Sequence, residues 1–152
     1  MEKNRLTDWD DFRRYIIGGK SEIILASPSG ISKRYFFKKN DHPPKDDKSL
    51  ADKYFVSVRL NKKFEYIGYL IHELWDNNFK VFHTSGSHVA IDSQEWGGLK
   101  CLVQLLNNQN SFSHTPMKLY HSGVCSVCGR RLTTPESLQH GMGPVCRSKV
   151  RL

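Results

Sequence analysis

Apolar positions recur along the chain with two different periods, and the switches between them mark out helices and strands. In residues 7–17, Trp9, Phe12 and Ile16 share one helical face, which Leu6 extends. Thr7 or Asp8 can cap this helix, acids fill its first turn, and Gly18-Gly19 stops it. Residues 22–27 and 31–38 favour strands and flank Pro28-Ser29-Gly30, which predicts a hairpin. Residues 54–60, 64–71 and 79–84 are three further strand candidates, with Asn61-Lys62-Lys63 as a tight turn. Tyr54, Val56, Val58 and Leu60 alternate, so all four point to one face of a sheet.

Asp92 and Glu95 then have the spacing of a capping box. Trp96, Leu99, Leu102, Val103 and Leu106 follow at helical spacing and read as core. Gly97-Gly98 weakens this helix by ~1 kcal/mol each relative to alanine, so close packing against the sheet is the expected reason for them. The charged stretch 39–52, with Pro43-Pro44, predicts an exposed loop, and the polar stretch 107–116 a linker. The expected fold is α+β. A small antiparallel sheet with one or two packing helices spans 1–110, a linker spans 111–119, and a compact module spans 120–152.

Composition narrows the class. Of 152 residues, 38% are hydrophobic, enough for a modest core. No apolar run reaches the roughly 18–20 residues of a membrane span, and the N-terminus is polar with no visible secretory signal. The expectation is a soluble cytoplasmic protein without a membrane partner. Net charge is +8, which favours polyanionic partners. Residues 120–152 carry Arg130, Arg131, Arg147, Lys149 and Arg151 against Glu136 alone, concentrating the charge there.

Candidate chemistry lies mainly in the cysteines. Cys101 falls within the second predicted helix and reads as a small buried hydrophobe. Cys125-Ser126-Val127-Cys128-Gly129 forms a C-x-x-C-G knuckle whose thiolates aim at one spot, and Gly143-Pro144-Val145-Cys146 delivers a third sulfur. Pro144 suits the start of a short final helix with Cys146 in its first turn, where the dipole favours a thiolate. A closed structural zinc site takes four ligands, so a histidine is expected to complete it, and both His121 and His140 are in range. A Cys125–Cys128 disulfide is disfavoured by a reducing interior and by the third cysteine. Glu136 is the one acid of the module, which speaks for one structural rather than catalytic zinc ion.

The segment from Tyr120 through Gly129-Arg130-Arg131-Leu132-Thr133-Thr134-Pro135-Glu136-Ser137, then Gly141-Met142-Gly143-Pro144-Val145-Cys146, resembles a domain of unknown function common in bacteriophage and mobile-element proteins. That domain has the form H-x-G-x-C-x-x-C-G-R-x-L-T-x-P-E-S, then G-x-G-P-x-C, and is similar to a treble-clef zinc finger. The resemblance favours His121 over His140 as the fourth ligand, because position 140 is outside its pattern. Ser126-Val127 replaces the commoner Gly-Arg, which removes one positive charge near the site. Upstream the likeness rests on short words such as Ile17-Gly18-Gly19-Lys20 and Tyr66-Ile67-Gly68-Tyr69. It implies a host-cell cytoplasm and carries no activity.

The expected function is non-enzymatic binding of nucleic acid, DNA or RNA, through a basic surface. Arg130 and Arg131 on the knuckle hairpin and Arg147, Lys149 and Arg151 on the final helix would straddle phosphates. Lys33, Arg34, Lys38 and Lys39 interleave with Tyr35-Phe36-Phe37, where stacking is worth ~1–3 kcal/mol per base. Against this, Tyr35 and Phe37, or Phe36 alone, can instead point into the core and leave the lysines merely solvated. The alternative function is a factor that modulates a host enzyme or defence protein, anchored by residues such as Trp75. A nucleotide-sequestering role lacks a Gly-rich phosphate loop. His83 and His88 have no nearby carboxylate in sequence to make a catalytic set, so no catalytic residue is expected.

Overall fold

A computed structural model describes residues 2–41 and 51–152. Most of the predicted loop 39–52 therefore lies outside the described residues.

Helix α1 (Trp9–Ile17) begins where Asp8 caps it by accepting from the Asp11 N–H. It buries Phe12, Tyr15 and Ile16. Strands β1 (Lys20–Ala26) and β2 (Ser32–Lys39) form the expected hairpin, followed by β3 (Ala51–Leu60), β4 (Lys63–Glu73) and β5 (Phe79–His83). Asn61 turns the β3–β4 hairpin at φ 61°, a left-handed conformation that asparagine tolerates. Helix α2 (Gln94–Asn107) is capped by Ser93, not Asp92: the Ser93 hydroxyl accepts from the Trp96 N–H at 3.2 Å. The helix starts one residue later than the capping-box spacing suggested.

The stretch read as a linker has structure of its own. Helix α3 (Gln109–His114) is capped by Asn108, and Phe112 stacks on Phe12 with ring centroids 5.5 Å apart. Strand β6 (Lys118–His121) then pairs with β1, Ile23 opposite His121 and Ala26 opposite Lys118. The result is a six-stranded antiparallel sheet in the order β5-β4-β3-β2-β1-β6.

One face of the sheet carries the core. Ile23, Tyr35, Phe37, Tyr54, Val56, Ile67 and Leu70 are fully buried against Phe12, Ile16, Leu99 and Leu102 of α1 and α2. Tyr35 and Phe37 thus belong to the core, not to a binding surface. Of the paired glycines in α2, only Gly98 faces the sheet: a Cβ there would sit 2.2 Å from the Tyr35 hydroxyl, whereas Gly97 faces open space. Arg13, buried in α1, donates to the Leu106 carbonyl at the end of α2 and to the Asn77 carbonyl (2.6 Å) in the β4–β5 turn. No described helix is long and apolar enough to cross a membrane.

Candidate metal centre

Beyond β6 the chain turns through Gly123, at φ 84°, into the cysteine knuckle. The Cys125 N–H bonds the Arg130 carbonyl (2.8 Å), the Gly129 N–H bonds the Cys125 carbonyl (3.0 Å), and Val124 bridges Arg131. This is the tight hairpin expected of the knuckle, and Gly129 at φ 77° makes its turn. Helix α4 (Pro135–His140) follows, with Thr134 as cap, Pro135 in its first turn and Gly141 in the left-handed conformation after it. Thr134-Pro135-Glu136 carried those start signals in the sequence, but six residues are too few for a periodic stripe to reveal the helix. Helix α5 (Pro144–Lys149) closes the module with Cys146 in its first turn, as expected.

These elements bring Cys125, Cys128 and Cys146 together, with all three sulfurs within 4.8 Å of one another. Sulfurs around a tetrahedral zinc stand roughly 3.8 Å apart, given Zn–S bonds of about 2.3 Å, so the spread fits one metal ion. Cys125 is buried, Cys146 half-buried and Cys128 exposed. Burial alone would push the Cys125 thiol up. The backbone N–H groups of Cys128, Gly143 and Val127 outweigh it and bring the thiol down to about 7. Burial and the two neighbouring cysteines push Cys146 the other way, to about 11. Three thiolates this close repel one another, and a cation held between them would let all three ionise.

Neither histidine joins the group. His121 ends β6 fully buried, where its Nδ1 accepts from the Gly123 N–H (2.9 Å) and its Nε2 donates to the Leu138 carbonyl (2.5 Å). Both ring nitrogens are occupied, and burial holds its pKa below the ordinary histidine value. His140 contacts Asp11 of α1 through Nδ1 at 2.8 Å. In this structure backbone groups thus meet both ring nitrogens of His121, and Asp11 meets His140.

The module's own apolar core is small, with Cys125, Leu132 and Met142 buried and Val127, Leu138 and Val150 packed around them. It leans on the rest of the chain. The Lys20 N–H donates to the Ser126 carbonyl (2.8 Å), Tyr15 packs on Gly141, and buried Asp11 also faces Arg147 at 3.7 Å. Asp11 was invisible as a functional candidate in the sequence, where it served only as a first-turn acid.

The basic residues divide into two sets. Arg130, Arg131, Lys149 and Arg151 are exposed, and none forms an ion pair with a described residue. Arg147 is half-buried against Asp11. On β2, Lys33 pairs with Glu95, Arg34 with Glu22 and Lys39 with Asp52, while Lys38 is exposed with no ion-pair partner among the described residues.

A model of a family of unknown function, DUF6011, matches residues 119–151, the span from β6 through α5. No curated protein and no solved structure matches the chain.

Proposed function

We propose that the chain is a non-enzymatic nucleic-acid-binding protein of the kind carried by phages, with a C-terminal treble-clef-like finger built on one structural zinc ion. The observation that carries the reading is the convergence of three cysteine sulfurs within a module that exposes Arg130, Arg131, Lys149 and Arg151, none of them ion-paired to a described residue. Soft thiolate donors suit zinc. Bound zinc would neutralise the thiolates and tie the knuckle to α5, adding the cohesion that a core of this size lacks. A tetrahedral shell takes one more donor than these thiols supply.

Arg130 and Arg131 on the knuckle and Lys149 and Arg151 at the end of α5 would meet phosphates. Such contacts release counterions, so affinity should fall steeply with salt.

The test measures zinc content and oligonucleotide binding on one sample. Wild type should carry one zinc per chain and bind DNA or RNA at low salt. Cys125→Ser and Cys146→Ser should lose the metal and the protease resistance of residues 122–152. His121→Gln should keep its zinc while losing stability; release as ready as in Cys125→Ser would return this histidine to the metal shell. Full binding at low salt by Arg130→Ala/Lys149→Ala would remove the finger from the interface.

A second reading rests on the β4–β5 turn, where Leu74 and Trp75 are 52% and 74% exposed. An aromatic so presented suits a protein-binding anchor, and a host protein would then be the partner. Trp75→Ala, tested for loss of a partner captured by the wild-type chain, separates the two readings.

A further inference from the structure

Helices α1 and α2 pack on one face of the sheet, and strand alternation fixes what the other face shows. Phe36 of β2, Phe55 of β3, Phe64 and Tyr69 of β4 and Phe82 of β5 all point away from the core. Phe55, Phe64 and Phe82 are 38%, 37% and 41% exposed. A sheet face left in water ordinarily carries polar side chains. Here the rings lie beside one another. Tyr69 stacks on Phe82 with centroids 5.0 Å apart and planes 20° apart, and Phe36 meets Phe64 at 6.0 Å.

Cations are set among these rings. The Lys53 ammonium sits 4.3 Å from the centroid of Tyr69 and 5.3 Å from that of Phe55. Lys38 stands opposite Phe55 across β2 and β3, and Arg59 opposite Phe64 across β3 and β4. None of these three forms an ion pair with a described residue. Two acids of the same face, Glu22 and Glu73, are already neutralised by Arg34 and Lys80. The face thus offers aromatic planes together with positive charge that no described acid pairs.

Charge complementarity decides the occupant. A purely apolar partner would leave Lys38, Lys53 and Arg59 unanswered, whereas a polyanion with flat apolar groups answers both. Duplexes hide their base planes inside the stack, and single strands expose them. We infer that the open face of the sheet binds single-stranded nucleic acid, with bases on Phe55, Tyr69 and Phe82 and phosphates against Lys38, Lys53 and Arg59. This site rests on the nucleic-acid reading above and is separate from the finger.

The experiment titrates fluorescent oligo(dT), oligo(U) and a blunt duplex with the zinc-loaded full chain, at low and at raised salt. Single strands should bind more tightly than duplex. Phe55→Ala and Phe82→Ala should each weaken single-strand binding about tenfold while duplex binding and zinc content stay unchanged. Phe55→Tyr and Phe82→Tyr, which keep the ring, should restore it, so a fold defect is distinguished from lost stacking. Binding that is lost only with Arg130→Ala/Lys149→Ala, and is indifferent to the phenylalanines, would overturn the sheet site while leaving the finger reading intact. Binding of no oligonucleotide by wild type would overturn both. A dimer that forms with concentration and is broken by Phe82→Ala would reassign the face to a second copy of the chain.

Discussion

Gly97 and Gly98 stand side by side in α2, yet their surroundings predict opposite responses to one methyl group. At position 98 the added carbon would clash with the Tyr35 hydroxyl, which is already bonded to the Glu95 carbonyl at 2.5 Å. Gly98→Ala should therefore cost about 1–3 kcal/mol through forced displacement in the core. At position 97 nothing lies near, and Gly97→Ala should gain up to about 1 kcal/mol from helix propensity alone. Urea unfolding of the two variants checks both signs. His72 makes a prediction about pH. It is buried, stacked on Phe79 with centroids 4.3 Å apart, and its Nε2 meets the Asn77 side chain at 2.6 Å. Burial lowers its pKa below 6.5, with the charge of Arg13 adding to the effect and the Asn77 hydrogen bond opposing it. The unfolded chain then takes up this proton at higher pH than the folded one. The contribution is complete above about pH 6.5 and is lost as pH falls from there through the lowered value. Stability should decline on acidification below about pH 6.5, and His72→Gln, although less stable at neutral pH, should decline less steeply.

At the scale of elements, α1 is the piece on which the C-terminal module rests. The Asp11 carboxylate is nearly sealed from solvent, with a side chain 3% exposed, and meets His140 of α4 and Arg147 of α5. Asp11→Ala should cost about 1.5–3 kcal/mol, the usual worth of hydrogen bonds to a charged group. Hydrogen exchange should quicken in α4 and α5 while β3 and β4 keep their protection. Unchanged exchange in α5 would show that the contact carries no energy. The same scale shows what the sequence made legible. Helices α1 and α2 and the strands of both hairpins were readable because each holds several apolar residues at one period. Helix α3 was not, since Phe112 is its one large apolar residue and its anchor, Phe12, lies a hundred positions earlier. Strand β6 is too short to show alternation, and only its distant partner β1 makes it a strand. The three clustered cysteines were legible from spacing. The contacts of the histidines were not, because spacing cannot reveal that a backbone N–H and a carbonyl meet the two nitrogens of His121.

For the whole molecule, the two ends of the described chain are interlocked. The Leu6 N–H bonds the Leu119 carbonyl at 2.9 Å, Arg5 bridges Tyr120, and a Cβ on Gly18 would strike the Ser126 side chain. Stripping a bound metal should therefore be felt beyond the knuckle. With a chelator, exchange should rise first in residues 122–152, then in β6 and the end of α1, and last in the β3–β4 pair. Equal loss of protection everywhere would mean that the chain unfolds as one cooperative unit and that the module has no stability of its own. The pairing of β1 with β6 also orders events during translation. As the chain emerges from the ribosome, β1 can pair with β2 almost at once, but its other edge stays bare until residues 118–121 have been made. At ordinary elongation rates that interval is roughly 5–20 s. Through it the nascent sheet presents an open row of N–H and C=O groups bordered by Ile24 and Ala26, the kind of edge that invites a neighbouring nascent chain on the same message.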